Sequence, residues 1–448
     1  MSVPRVALVP THSTALADAI AAAVVEIVTV QGREARYHHL GPLAPLAAWD
    51  KWEGAAFIDP ALSGEKTLAD LYDVAVRYAD LSILSSSTGL LDDRAGAGWL
   101  PADVLKDLDC PAVLVLDCRG WGMALRGLVT GIGMHAPSLN LVGAILVGVA
   151  DQEHLDLLRG ILAAEDIPVA GCLFAGQGLD WDIEPPGAWG APPSADFLAT
   201  VAKQVDVDGV EKLAGQRGFL PAPHGFSAHE DDGPLIAVAA GKGFTPWSRD
   251  SIEVLRAAGA QIRRLDLVTD ESLPAGTAGL VLAGTLWPDS IPDIAMNTAL
   301  IEDISAQVAR GLPTVALGGG MLLMLERLQD TLGRTGDLVG AIQGQGEILW
   351  DLQEAAYVEV TSTRDNLLLD KGSGLRGWVL TEVEVTGGPQ VWDSPLEVKG
   401  TRSKERRREG AGSESLLCSP ALLHLAAQED MAPRLVRACK EYAERAEV

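Results

Sequence analysis

The sequence predicts an α/β fold built on parallel sheets and divided into two domains. Three features point there. Short apolar runs alternate with helix-period stretches along the chain. The alternation breaks once, in a segment rich in Pro, Gly and polar residues, and then starts again. The 448-residue length is that of two or three domains.

In the first half the apolar runs RVALVP (5–10), LSILSS (81–86), PAVLVLD (111–117), LVGAILVGV (141–149) and IPVAGCLF (167–174) read as buried strands. Helix-period stretches, TLADLYDVAVRYAD (67–80) and EHLDLLRGILAAED (153–166) among them, lie between the strands. Strands separated by helices imply a parallel sheet covered on both faces. The break is RGFLPAPHGFSAHEDDGP (217–234), read as a linker between domains at 1–216 and 235–448. Beyond it, LIAVAAG (235–241) reads as a strand and SRDSIEVLRAAGA (248–260) as a helix. Strands QIRRLDL and AGLVLAG follow, then helix NTALIEDISAQVARG. Next comes VALGGGMLLMLERL (315–328), where a strand ending at Leu317 meets three glycines and an apolar helix expected from Met321. That is the outline of a nucleophile elbow, with Gly318 at its tip. TRSKERRREGAGSES (401–415) reads as a solvated basic insertion.

A net charge of −26 and a pI near 4.6 argue against nucleic acid or an anionic membrane surface as the main partner. No run approaches the ~20 apolar residues of a spanning helix, and the N-terminus shows no signal-peptide pattern. Cys110, Cys118, Cys172, Cys418 and Cys439 lack metal-ligand or disulfide spacing, so a reducing cytoplasm is expected.

Residues 111–162, with strand, Asp–Cys–Arg–Gly, helix and second strand, resemble the cobyrinate a,c-diamide synthase family. So do RYADLSILSSSTGLLDD (77–93), GLVLAGTLWPD, PTVALGGGMLLM and LLCSPALLHLAAQEDMAPRLVRAC, in the same order and spacing. The resemblance covers nearly the whole chain. It implies a P-loop-NTPase-like synthetase domain, followed by a flavodoxin-like class I glutamine amidotransferase-like domain.

Carried over residue by residue, the resemblance predicts loss of both half-reactions. Glutamine hydrolysis needs a thiolate, a His base and oxyanion donors. The nucleophile position is Gly318, the first His position is Leu422, His424 alone remains, and the oxyanion loop reads Gly284, Thr285, Leu286. Cys418 is the nearest candidate for a relocated nucleophile. A phosphate loop needs glycines, Lys and a hydroxyl. VPTHSTALADAI (9–20) offers no Gly or Lys, only Ser13 and Thr14. The Mg²⁺ position falls at Ser85 and the base-contact position at Val147. Asp92, Asp117 and Arg119 match family positions.

These losses leave a pseudoenzyme acting as a binding, scaffold or regulatory subunit linked to a tetrapyrrole enzyme or cofactor, with a divergent ATP-dependent amide ligase acting on a tetrapyrrole or other carboxylate as the alternative. No cofactor is expected, the ATP, Mg and glutamine sites having gone; a tetrapyrrole is the small molecule the resemblance allows. A protein partner or second copy would meet a vestigial ligand face of Asp92, Asp117, Arg119, Trp121, Trp287 and His424. Trp99 and Trp247 are expected in loops of that face. His38 and His39, read as an exposed loop pair, are candidate haem ligands.

Overall fold

The computed structural model describes residues 3–14, 16–41, 57–64, 68–76, 79–93, 96–176, 194–215, 233–330, 332–348, 356–379, 383–386, 393–400 and 406–446. The chain divides into two compact units. One comprises Met1–Trp49, Ala56–Pro60 and Leu68–His224; the other comprises Asp50–Ala55, Ala61–Thr67 and Gly225–Val448.

The chain begins β1 (Arg5–Pro10), α1 (Leu16–Val30), β2 (Ala35–Leu40), β3 (Phe57–Ile58), α2 (Pro60–Ser63), α3 (Leu68–Ala75), β4 (Leu81–Ser85) and α4 (Pro101–Asp107). It continues with β5 (Ala112–Asp117), α5 (Ala124–His135), β6 (Leu141–Val149), α6 (Gln152–Ala163), β7 (Val169–Phe174), α7 (Ala195–Gln204) and α8 (Val207–Ala214). The seven strands form one parallel sheet in the order β3-β2-β4-β1-β5-β6-β7. Alternation along β1 explains its unbroken apolar run. Ala7 and Val9 enter the core on one face, and Val6 and Leu8 enter the core on the other. Helix starts follow side-chain chemistry: the Asp151, Ser194 and Asp206 side chains accept backbone N–H groups at the openings of α6, α7 and α8.

The second unit runs β8 (Leu235–Ala239), β9 (Phe244–Pro246), α9 (Arg249–Ala257), β10 (Gln261–Leu265), β11 (Thr277–Leu286), α10 (Ile291–Met296), α11 (Thr298–Ala309), β12 (Thr314–Gly318) and α12 (Gly319–Leu323). Strands β13 (Arg327–Gln329), β14 (Thr335–Asp337), β15 (Gln345–Ile348), β16 (Ala356–Ser362), β17 (Gly374–Val379) and β18 (Val383–Thr386) follow. Last come β19 (Leu396–Gly400), β20 (Arg406–Glu409), β21 (Ala411–Gly412), β22 (Leu416–Ser419) and α13 (Met431–Ala446). The main sheet is β10-β8-β11-β12-β22-β21, parallel from β10 to β22, with β9 antiparallel to the end of β11. Two four-stranded sheets, β14-β13-β15-β18 and β17-β16-β19-β20, were not legible from the sequence.

Three expectations need correction. ARYHHL is strand β2, not a loop, and His38 and His39 are 1% and 0% exposed. Neither can reach a haem iron from there. The insertion expected at 401–415 contains strands β20 and β21 within its described part. The elbow helix begins at Gly319 rather than Met321 and lasts five residues. Most of the expected linker, 217–232, lies outside the described residues.

Candidate functional site

Parallel pairing puts the C-terminal ends of β1, β4, β5 and β6 along one edge of the first sheet, where α/β sheets carry ligands. Here the chain satisfies its own polar groups. Thr14 donates its backbone N–H to Ser87 O at 2.9 Å, and its hydroxyl accepts from Leu16 N at 3.3 Å, at the start of α1. Leu90 N donates to Pro10 O at 2.9 Å, stitching the following loop across the β1–α1 turn. Ser85 is fully buried, and its hydroxyl donates to Asp18 Oδ1 at 2.5 Å. Tyr37 OH lies 2.7 Å from Ser85 Oγ, and His39 Nε2 lies 3.5 Å from Asp18 Oδ2. Val147 is buried and apolar; its carbonyl takes the Cys118 N–H at 2.7 Å.

Asp117 and Arg119 form a forked pair, with Nε–Oδ1 3.0 Å and Nη2–Oδ2 2.7 Å. Burial pushes the Asp117 carboxyl up. Hydrogen bonds from the Arg119 side chain and backbone more than offset that, aided by His12, and hold it below its usual range. His12, in a stretch with no motif of its own to mark it, is exposed beside this pair. Asp92 is exposed and closes a turn with Gly89, its N–H donating to Gly89 O at 2.9 Å, and a Cβ on Gly89 would fall against the Asp92 carboxylate and within 2.9 Å of His12 Cα. Trp121 is 36% exposed, and its carbonyl accepts from His154 Nε2 at 2.8 Å. Trp99 is half-buried, donating to Asp59 Oδ1 at 3.3 Å.

In the second unit, Gly318 has φ +60 and ψ −122, the backbone of a sharp strand-to-helix turn. A Cβ there would lie 2.8 Å from Leu422 Cδ2 and 3.0 Å from Gly284 O. Leu422 is fully buried and fixed by two backbone hydrogen bonds to Trp378, 2.8 and 2.9 Å long. The space beside the elbow is thus filled by an aliphatic side chain. Gly284, Thr285 and Leu286 are the end of β11, paired with β9, rather than a loop. Trp287 is half-buried and donates to Thr245 Oγ1 at 2.9 Å.

His424 is 0% exposed, and burial pulls its imidazole down to about 3. Ala426 N donates to Nδ1 at 3.2 Å, so Nε2 carries the proton and donates to Ser248 Oγ at 3.1 Å. Ser248 Oγ also accepts Ser251 N at 3.1 Å, capping α9. His424 therefore braces the start of α9 and is not part of an exposed face. Trp247, 5% exposed, packs edge-on to His424 at 6.0 Å and is likewise interior. The cavity among Trp247, Ser248, Ser251, Leu317 and Leu423 is about 20 Å³, room for one water. Cys418 is fully buried on β22, and burial pushes its thiol far up, away from the reactive thiolate. Among the described residues no group of three His, Cys, Asp or Glu could hold a metal ion, and no helix is long and apolar enough to cross a membrane.

No family-level sequence model matches the chain. It is 26% identical to hydrogenobyrinate a,c-diamide synthase of Streptomyces coelicolor over 491 aligned positions, covering 98% of each chain. It is 25% identical to cobyrinate a,c-diamide synthase of Syntrophotalea carbinolica, covering 98% of this chain and 99% of the relative. Among solved structures, PurLQS from Thermotoga maritima matches at TM-score 0.34 and 15% identity, over 47% of this chain and 99% of that one. MinD of Aquifex aeolicus matches at TM-score 0.29 and 11% identity, over 48% of this chain and 100% of that one. Scores this low carry no weight here, and the α/β class rests on the two parallel sheets themselves. Over 98% of its length the chain is a homologue of the cobyrinate and hydrogenobyrinate a,c-diamide synthases.

Proposed function

We propose that this chain is a catalytically inactive homologue of the a,c-diamide synthases. It acts as a binding or scaffold subunit for a tetrapyrrole enzyme or its cofactor, in the reducing cytoplasm. The filled elbow carries this reading: Gly318 has no nucleophile, and the buried Leu422 occupies the volume a side chain would need. The commitment of His424 to Ser248, and of Ser85 to Asp18, supports it from the base and Mg²⁺ sides. The five cysteines are free and buried, which suits a reducing compartment.

Homology along 98% of the chain favours a second reading, a divergent ATP-dependent amide ligase acting on a tetrapyrrole carboxylate. Two measurements separate the readings. Glutamate release from glutamine is expected to be absent in the wild type; turnover abolished by Cys418→Ala would overturn inactivity. Millimolar ATP with Mg²⁺ is expected to leave the melting temperature at its magnesium-only value, because only a ligand of the native state raises it. A clear ATP-dependent rise, lost in Ser13→Ala, would favour the ligase.

A further inference from the structure

Strand β20 ends its sheet. In the order β17-β16-β19-β20 it pairs with β19, and among the described residues no strand pairs with its other edge. A strand so placed presents backbone N–H and C=O groups along that edge. Its sequence is RRRE, in a chain whose net charge is −26.

Register gathers cations beside it. Arg376 lies opposite Glu359, Glu359 opposite Lys399, and Lys399 opposite Arg406, so one row crosses all four strands. Residues directly opposite share a face, as do residues two apart along a strand. Arg408, opposite Glu397, therefore joins the same face. Both carboxylates there are already engaged. Lys399 Nζ lies 2.8 Å from Glu359, and Arg406 Nη1 lies 3.1 Å from Glu397. Lys399 first, then Arg376 and Arg406, hold the Glu359 carboxyl below its usual range. Arg408 is exposed and makes no ion pair among the described residues. Four cations thus meet two carboxylates, an excess of two positive charges on this face. A chain with 61 acidic residues leaves it unneutralised.

The edge and the charge together define an occupant. Cations on a free edge repel strands of like charge and attract an acidic one. Arg406 and Arg408 stand about 7 Å apart along the strand, the interval at which an extended peptide repeats its side chains on one face. The four residues of β20 span only ~13 Å. A long nucleic acid would run past them and meet the field of an acidic chain, whereas a short acidic strand ends where the cations end.

We propose that β20 takes up an extended acidic segment of a partner protein as a fifth strand of this sheet, with Asp or Glu at alternate positions set against Arg406 and Arg408. This surface is separate from the elbow and from the edge of the first sheet, so failure here leaves the reading of catalysis untouched. Fluorescence anisotropy of a labelled peptide of alternating Thr and Glu, added to the full chain at low salt, tests it. The wild type is expected to bind. Arg406→Glu/Arg408→Glu should weaken binding by about tenfold or more, with the melting temperature unchanged because both side chains are exposed. Arg406→Lys/Arg408→Lys keeps the charge and should stay within about threefold of wild type. The same peptide N-methylated at alternate residues keeps every carboxylate but cannot extend the ladder, and should lose binding to the wild type. A wild type that does not bind the peptide overturns the proposal, as does equal binding of the N-methylated peptide or equal binding by Arg406→Glu/Arg408→Glu. So does tighter binding of a single-stranded oligonucleotide of the same charge.

Discussion

Asp250 provides a quantitative test of the second unit. It lies in the first turn of α9, is 4% exposed, and its Oδ1 has no hydrogen-bond partner among the described residues. Burial pushes its carboxyl from 3.8 up to about 7, against the pull of Arg249 and with a further push from Glu253. At 1.36 kcal/mol per unit, this rise corresponds to roughly 4 kcal/mol. The sign follows from proton binding. Between pH 4 and 7 the folded chain keeps a proton that the unfolded chain has released, so stability is full below the unfolded value. It falls as pH rises and levels off above about 7. Asp250→Asn keeps the shape and cannot ionise. It should exceed wild type by about 2 kcal/mol at pH 5 and about 4 kcal/mol at pH 8, the latter roughly 8–16 °C in melting temperature. Urea unfolding followed by tryptophan fluorescence, with both proteins compared at each pH, isolates Asp250, because every other titrating group is common to the pair. A difference that does not grow with pH, or a variant less stable than wild type at pH 8, would refute the reasoning.

Other consequences follow from the same units. His424→Ala removes both the donor to Ser248 and the acceptor for Ala426 N, and should destabilise by about 3 kcal/mol at neutral pH in chemical denaturation. Burial depresses the His424 imidazole to about 3, so its neutral form contributes stability above its ordinary 6.5. That contribution is lost as pH falls toward 3, and the variant should lack this acid-side slope. Gly318→Cys should give no glutamine hydrolysis and should lower stability by about 2 kcal/mol, through the left-handed backbone and the Leu422 contact. Adding Leu422→Ala should relieve the contact part, so a Gly318→Cys variant as stable as wild type would contradict the filled elbow. Asp18→Ala leaves Ser85, Tyr37 and His39 facing an empty buried space and should cost about 3 kcal/mol by the same assay; a neutral variant would show that the network is not structural.

Sequence alone determined the alternation of strands and helices, the parallel sheets and the strand-to-helix turn at Gly318. Those features are local: an apolar run of five or six residues, a period, a glycine where the chain turns sharply. It also revealed that no nucleophile stands at the turn, because identity at one position is enough for that. It misread ARYHHL, since two histidines look polar in a list. In β2, His38 lies 3.2 Å from Ser82 Oγ, and His39 is held between Gly41, Ser87 and Asp18. It likewise missed the short strands of the two four-stranded sheets, whose three- to seven-residue runs make sense only beside the partners that pair with them. Only the tertiary structure could decide that Leu422 fills the elbow, and that His424 and Trp247 are interior while Trp121 is exposed. The physical reason is that burial, and the proton affinity of a buried group, depend on residues distant in sequence. Leu422 meets Gly318, and His424 meets Ser248, only after the sheet has folded.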